Sequence, residues 1–202
     1  MISIKSISIK PIHTYTRKEQ SELGEFGYSS YSKYSVTKFE TEERTVIDIG
    51  LVSLESTYHK IYVNSDDDYE NYSKIAPRGY SLGAYLGSRL VGVVIAEEST
   101  WNNTLLIWHI QVAEQFQRLR IGKRLVNELV CLAEKNNIRA INLETQNTNV
   151  NAIRFYRKCG FKIEGIDLSH YTNHDVSDGE VAIFMKRKIA DTKSLNEIQK
   201  NM

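Results

Sequence analysis

The chain has 202 residues, with 26 Lys and Arg against 25 Asp and Glu, a formal charge of +1. Its length argues for one domain, and a composition 41% hydrophobic and 25% charged supplies apolar material for a single core. The near-neutral charge lacks the basic excess of a nucleic-acid binder, and no apolar run approaches the roughly 20 residues of a spanning helix, so neither a nucleic-acid nor a membrane partner is expected. The opening MISIKSISIKPI alternates Ile with Ser and Lys, unlike the continuous apolar stretch of a signal peptide. Two cysteines, Cys131 and Cys159, make neither a disulfide framework nor a four-ligand zinc site. The expected setting is reducing and cytoplasmic.

Only two prolines, Pro11 and Pro77, and no Gly/Ser-rich linker interrupt the chain. In the first third, strand patterns cover residues 34–41 and 45–54, and residues 55–62 read as helical. The acidic NSDDDYENY at 64–72, followed by Pro77 and Gly79, reads as a surface loop. Apolar runs at 80–86 and 90–97 flank Gly87 and Ser88 as two strands and a turn. Trp101-Asn102-Asn103 marks a further turn before a buried strand at 105–112. Residues 123–136 form an amphipathic helix, with Leu125, Val126, Leu129, Val130, Leu132 and Ala133 recurring at i, i+3, i+4 and i+7. A strand at 138–145, a helix at 150–159 ended by Gly160, and strands at 161–166 and 181–186 complete an alternation that means an α/β sheet. Residues 190–202 read as a polar tail.

The basic connection QRLRIGKRLV at 117–126 enters the first of these helices directly after a buried strand. A helix N-terminus leaves backbone N–H groups unpaired and positively polarised, so it can receive phosphate where the backbone approaches closely. Gly122 gives that approach, and Arg118, Arg120, Lys123 and Arg124 add charge, although an ordinary solvated helix start carries the same residues. The Walker pattern GxxxxGK[ST] is absent, as are the three glycines of a dinucleotide fingerprint. In LETQNTNVNAIRFYRKCGF at 143–161, Tyr156 shares a helix face with Ala152 and Cys159. That position suits either core packing or a general acid beside a departing thiolate. Asp167, His170, His174, Asp175 and Asp178 fall together at 167–178 in a loop context, which reads as a substrate lid, and no metal is expected.

Together the two segments resemble the GNAT acetyltransferase superfamily, which moves acetyl from acetyl-CoA to amines. Gln117-Arg118-Leu119-Arg120-Ile121-Gly122 matches its Q/R-x-x-G-x-G/A pyrophosphate loop, with Arg120 standing at the first glycine. Asn149, Ala152, Tyr156, Gly160 and Phe161 match the downstream N-x-x-A-x-x-x-Y pattern closed by G-F. Within the superfamily, WN at 101–102, LETQ at 143–146, FY–CGFKI at 155–163 and Asp167 with Tyr171 are similar to streptothricin acetyltransferases. The resemblance covers residues 80–188 and implies a mixed α/β fold: a mostly antiparallel central sheet with helices on both faces, in a single domain. Residues 1–79 then hold the first strands and acceptor-side loops, 80–189 the core with the acetyl-CoA site, and 190–202 the tail.

Acetyl-CoA is the implied co-substrate. The resemblance places Ile110, Gln111 and Val112 along the pantetheine arm, and Gln117, Arg118, Leu119, Arg120, Ile121, Gly122 and Lys123 at the pyrophosphate. Asn149, Ala152 and Tyr156 join them. The Arg120 backbone N–H is expected to bind while the guanidinium points outward. Tyr156 is implied as the acid for the CoA thiolate, so Cys159 reads as packing. A lysine-like amine titrates near about 10.4, so a base must remove its proton before attack. His109 and Glu144, on the two strands the resemblance places around the acetyl group, are the candidates. His109 beside Trp108 also suits a packed strand, and Glu144 also suits a pairing with Arg139, Arg154 or a cationic acceptor. The foremost reading is direct acetyl transfer to a streptothricin-like or other lysine-bearing small molecule. A protein N-terminus or lysine is the alternative acceptor, and a non-catalytic acyl-CoA-binding module is a reading of another class. The partner is thus an amine-bearing small molecule or peptide, and the chain a monomer or homodimer.

Overall fold

The computed structural model describes residues 6–63 and 65–189, so the expected tail at 190–202 lies outside the described residues. In chain order the elements are β1 (Ile7–Pro11), α1 (Arg17–Glu22), β2 (Phe26–Glu40), β3 (Thr45–Tyr62), α2 (Asp66–Ile75), β4 (Leu82–Leu86), β5 (Arg89–Ser99) and β6 (Thr104–Val112). They continue with α3 (Ile121–Lys135), β7 (Ala140–Gln146), α4 (Val150–Lys158), β8 (Lys162–Asp167), α5 (Asp175–Asp178) and β9 (Ala182–Lys188). The described residues divide into two compact units, one drawn from 6–26, 63, 65–143 and 187–189, the other from 27–62 and 144–186. Among the described residues no helix is long and apolar enough to cross a membrane.

In the first unit the strands run β1, β4, β5, β6 and the start of β7. The first three pairings are antiparallel, and Thr104–Ile107 pairs in parallel with Ala140–Leu143. A parallel neighbour needs a long crossover, and α3 supplies it. The helix begins two residues earlier than its sequence pattern suggested, because Ile121 lies four residues before Leu125 and extends the apolar stripe. Ile121, Leu125, Val126, Leu129, Val130 and Ala133 are buried against β4, β5 and β6, while Leu132 is only half-buried. β5 is buried along most of its length, as befits a central strand covered on both faces.

Residues 66–75 form a helix where a surface loop was expected. Ser65 accepts from the Asp68 N–H and the Asp68 carboxylate accepts from the Ser65 N–H, a reciprocal capping box. Asp66, Asp67 and Asp68 occupy its first turn, at the positive end of the helix dipole.

In the second unit, residues 55–62 are strand where a helix was expected. Tyr58, Lys60 and Tyr62 are half-buried and alternate with exposed His59 and Ile61, the period of two that defines a half-covered strand. β2 and β3 form a long two-stranded ribbon, turned at Thr41, whose N–H donates to the Arg44 carbonyl at 2.8 Å. The ribbon closes tightly at its base, where a Cβ on Gly27 would collide with the Lys60 carbonyl oxygen. β8 and β9 pair antiparallel. α4 starts at an Asn149 cap and stops where Gly160 takes φ +86°, the left-handed position expected of it.

Candidate active site

The first unit carries the basic connection. Arg118 and Arg120 both take φ +61°, a region that side chains normally avoid, and Arg120 is the N-cap of α3. The backbone there is the reason a glycine fits the motif at position 120. Arg120 provides no side-chain cap, and the first turn holds no acidic residue. The N–H groups of Ile121, Gly122 and Lys123 therefore have no acceptor within the helix. Around them Gln117, Arg118, Arg120 and Lys123 are exposed and Leu119 is half-buried. The Gln117 amide turns back to the Val112 carbonyl at 3.2 Å, and the Arg124 guanidinium donates to the Ile7 carbonyl at 2.8 Å. An uncapped helix start ringed by free-ended cations has the chemistry of an anion cradle.

β6 leads into this loop through a bulge. Ile107 faces Ala96 while His109 faces Ile95, so Trp108 is the extra residue, half exposed, with its indole donating to Glu97 at 3.0 Å. Its ladder with β7 ends at Ile107 and Leu143, so the remaining backbone groups of β6 on that edge have no strand partner among the described residues. Ile110 and Val112 are half-buried, and the Gln111 amide donates to the Gly24 carbonyl at 3.0 Å.

His109 is only 4% exposed. Its ring stacks on Tyr72 at 5.0 Å, meets Phe26 edge-on at 4.7 Å, and lies 3.3 Å from the Gln111 side chain. Burial pushes the imidazole down to about 4, against smaller upward pulls from Gln111 and Asp68, so it is neutral near pH 7. Of the two roles open to His109, this geometry is that of the packed strand residue.

The second unit carries the other residues. Glu144 is half-buried, and its hydrogen-bond partner is the Tyr171 hydroxyl instead of Arg154. Arg139 is used in the first unit, donating to the Asn102 carbonyl at 2.6 Å. Burial pushes the Glu144 carboxyl up, while the Tyr171 hydrogen bond, His170 and Lys60 pull it back. Asn149 and Ala152 of the sequence motif are joined to each other, the Asn149 carboxamide oxygen accepting the Ala152 N–H at 3.1 Å as the cap of α4. Tyr156 is 6% exposed, with its ring 5.2 Å from that of Phe155 and 5.6 Å from that of Phe161. Burial keeps its phenol protonated far above the usual range, and its hydroxyl has no hydrogen-bond partner among the described residues. Cys159, three residues further on, is buried, and Cys131 is exposed.

Several residues of this unit escaped the sequence reading. Tyr62 donates to the Gln146 side-chain oxygen, and the Gln146 amide donates to the Tyr171 oxygen at 3.1 Å. Tyr28 and Thr148 share a hydrogen bond of 2.6 Å, Tyr58 donates to Glu180 at 3.1 Å, and Lys60 forms an ion pair with Glu180. Gln146 stood inside the LETQ stretch, but Tyr58, Lys60 and Tyr62 were hidden by assigning 55–62 to a helix. In the loop at 167–178, buried Asp175 accepts from the Tyr171 and Thr172 N–H groups at 2.9 and 2.7 Å. Burial pushes the Asp175 carboxyl up, but these hydrogen bonds outweigh it and hold it below its ordinary range. Among the described residues no group of three or more His, Cys, Asp or Glu is arranged to hold a metal ion.

Residues 49–161 match the model of the acetyltransferase (GNAT) family. A streptothricin acetyltransferase of Escherichia coli is 35% identical over 133 residues, spanning 64% of this chain and 70% of the relative. The crystal structure of nourseothricin acetyltransferase superposes with a TM-score of 0.70 at 22% identity, covering 92% of this chain and 99% of the other, a likeness of fold. A Bacillus anthracis str. Ames structure in complex with acetyl coenzyme A superposes with a TM-score of 0.66 at 25% identity, covering 90% of this chain and 99% of the other. With a mixed α/β fold, a mostly antiparallel sheet and the family's motifs in order, the chain belongs to the acetyltransferase (GNAT) family and is an N-acetyltransferase.

Proposed function

We propose that this enzyme transfers acetyl directly from acetyl-CoA to a primary amine of a small cationic molecule of the streptothricin class, and that it works in the cytoplasm. The observation that carries the reading is Glu144: a half-buried carboxylate held by a phenol at one oxygen, with no hydrogen bond to the other among the described residues, in a unit rich in tyrosine hydroxyls. Such a group can accept a proton from an ammonium and attract the ammonium first. The 35% identity to a streptothricin acetyltransferase supports the same acceptor class.

The uncapped start of α3 fits a pyrophosphate, with Arg118, Arg120 and Lys123 free to add lateral charge. When bound, acetyl-CoA supplies the activated thioester. Glu144, in preference to buried His109, takes a proton from the acceptor ammonium directly or through one water. The freed amine can then form the new C–N bond as the C–S bond breaks. Tyr156 keeps its proton until negative charge develops on sulfur, then hydrogen-bonds to that sulfur and delivers the proton. The attacking nitrogen sheds its second proton to solvent as the amide forms; Glu144 then gives up its proton and Tyr156 regains one through solvent, so each turnover releases one net proton. A protonated, partnerless phenol on α4 is what an acid needs, and a module that only binds acyl-CoA has no use for it.

Thiol release from acetyl-CoA, measured with streptothricin, spermidine, free lysine and a lysine-containing peptide, tests the proposal. Streptothricin is expected to give the highest kcat/KM. Preference for the peptide would transfer the assignment to a protein acetyltransferase. Tight acetyl-CoA binding without turnover of any acceptor would support the binding module.

A further inference from the structure

The second unit contains a continuous run of hydrogen bonds that the reaction outlined above does not explain. It starts on β3, where the Tyr62 hydroxyl donates to the Gln146 side-chain oxygen. It crosses β7 through Gln146, whose amide donates to the Tyr171 oxygen at 3.1 Å. It ends when the Tyr171 hydroxyl, having accepted from Gln146, donates to Glu144 Oε1. Every donor in the run points toward Glu144, the direction that stabilises a carboxylate at its end.

The Tyr171 ring is itself fixed from two sides. His170 lies edge-on to it at 5.1 Å and edge-on to Phe184 at 5.4 Å. The buried Asp175 carboxylate accepts the Tyr171 and Thr172 N–H groups, which sets the backbone that carries the ring. Residue 171 lies beyond the end of the family match at 161, so this partner of Glu144 comes from outside the matched core.

We propose that Tyr171 is a positioning residue for acetyl transfer. It fixes the rotamer of the Glu144 carboxylate so that Oε2 faces the acceptor amine, and Tyr62 holds Tyr171 in turn through Gln146. The inference rests on the reading of Glu144 as the base. The charged and titratable groups that face Glu144 are Tyr171 and His170 of the loop after β8, Lys60 of β3 and Glu180 ahead of β9, with Tyr156 of α4 and Tyr62 of β3 also sensing its charge. Tyr171→Phe keeps the ring and removes one hydrogen bond to the carboxylate, leaving burial and the other charges in place.

The test has two parts. The first is a titration of the Glu144 side-chain carbon by carbon-13 NMR in the wild-type full chain, in Tyr171→Phe and in Tyr62→Phe, with no acceptor present. Loss of a donor to the carboxylate should raise its midpoint, by about one pH unit for Tyr171→Phe, and by less for Tyr62→Phe at the far end of the run. The second is the pH profile of kcat/KM with acetyl-CoA and streptothricin, or spermidine if that turns over better. The acidic limb should move upward in Tyr171→Phe by the same amount, with the KM for acetyl-CoA unchanged, and Tyr171→Phe should cost nothing further in a Glu144→Gln background.

Glu144→Gln with wild-type activity would overturn the base assignment and the inference with it. Loss of activity in Glu144→Gln, together with a Tyr171→Phe titration and limb that superpose on wild type, would overturn the positioning role alone. Thermal unfolding of the two phenylalanine variants separates a shifted limb from a loosened fold, because a merely structural role lowers the melting point and scales the profile without moving it.

Discussion

Tyr156 is packed between Phe155 and Phe161, yet its hydroxyl takes no partner among the described residues. Tyr156→Phe removes one atom from that site and leaves the rings in place. The expected outcome is a fall in kcat of about 100-fold or more, with acetyl-CoA affinity unchanged by calorimetry. Buried His109 makes a different prediction, about stability. Its folded value near 4 lies below the ordinary 6.5, so the unfolded chain binds the proton first. The contribution is therefore whole above about pH 6.5 and is lost as pH falls toward 4, by about 3 kcal/mol in all. Urea midpoints measured between pH 7 and 4.5 should show this slope, and His109→Gln should flatten it. At this scale the places of Tyr156 on α4 and Glu144 on β7 were readable from their motifs, while the roles proposed for them await the tests above. The packing of His109 was not, because Phe26 and Tyr72, which enclose its ring, lie 83 and 37 positions away in the chain.

Helix α3 was legible almost to its ends, since six apolar residues at helical spacing leave little choice of period. The start of that helix makes its own prediction. Arg120 sits at φ +61°, where an ordinary side chain costs roughly 1 kcal/mol and glycine does not. Arg120→Gly should therefore melt higher than Arg120→Ala, while both lose the same few-fold in acetyl-CoA affinity through the missing guanidinium. Equal melting temperatures would show that the turn relaxes around alanine. The ribbon base offers a second test: Gly27→Ala should destabilise the chain by about 1–3 kcal/mol, because the new methyl meets the Lys60 carbonyl oxygen, and should raise the KM of the acceptor. The ribbon itself was only partly readable. Tyr, His and Lys at 58–62 carry no strong apolar alternation, and the half-burial of Tyr58, Lys60 and Tyr62 comes from residues far along the chain, such as Glu180 and Gln146. The helix at 66–75 did have a local signal, Ser65 followed by Asp68 three residues on, which the acidic composition masked.

For the whole molecule, the α/β class and the family followed from the order of a buried strand, a basic helix start, a second strand and a tyrosine-bearing helix. The residues proposed to meet the acceptor were least legible, because they converge from β3, β7, the loop after β8 and the entry to β9. Such a constellation has no sequence spacing of its own. The central claim is that acetyl passes in one step from acetyl-CoA to a small amine. Its most direct test is a single-turnover quench with isotopically labelled acetyl-CoA and streptothricin, followed by mass analysis of both small molecule and protein. The account predicts that the label appears on streptothricin as fast as thiol is released, with none on the protein at any time. Label on the protein before it reaches the acceptor, at a cysteine or lysine, or streptothricin left unmodified while thiol is released, would contradict it.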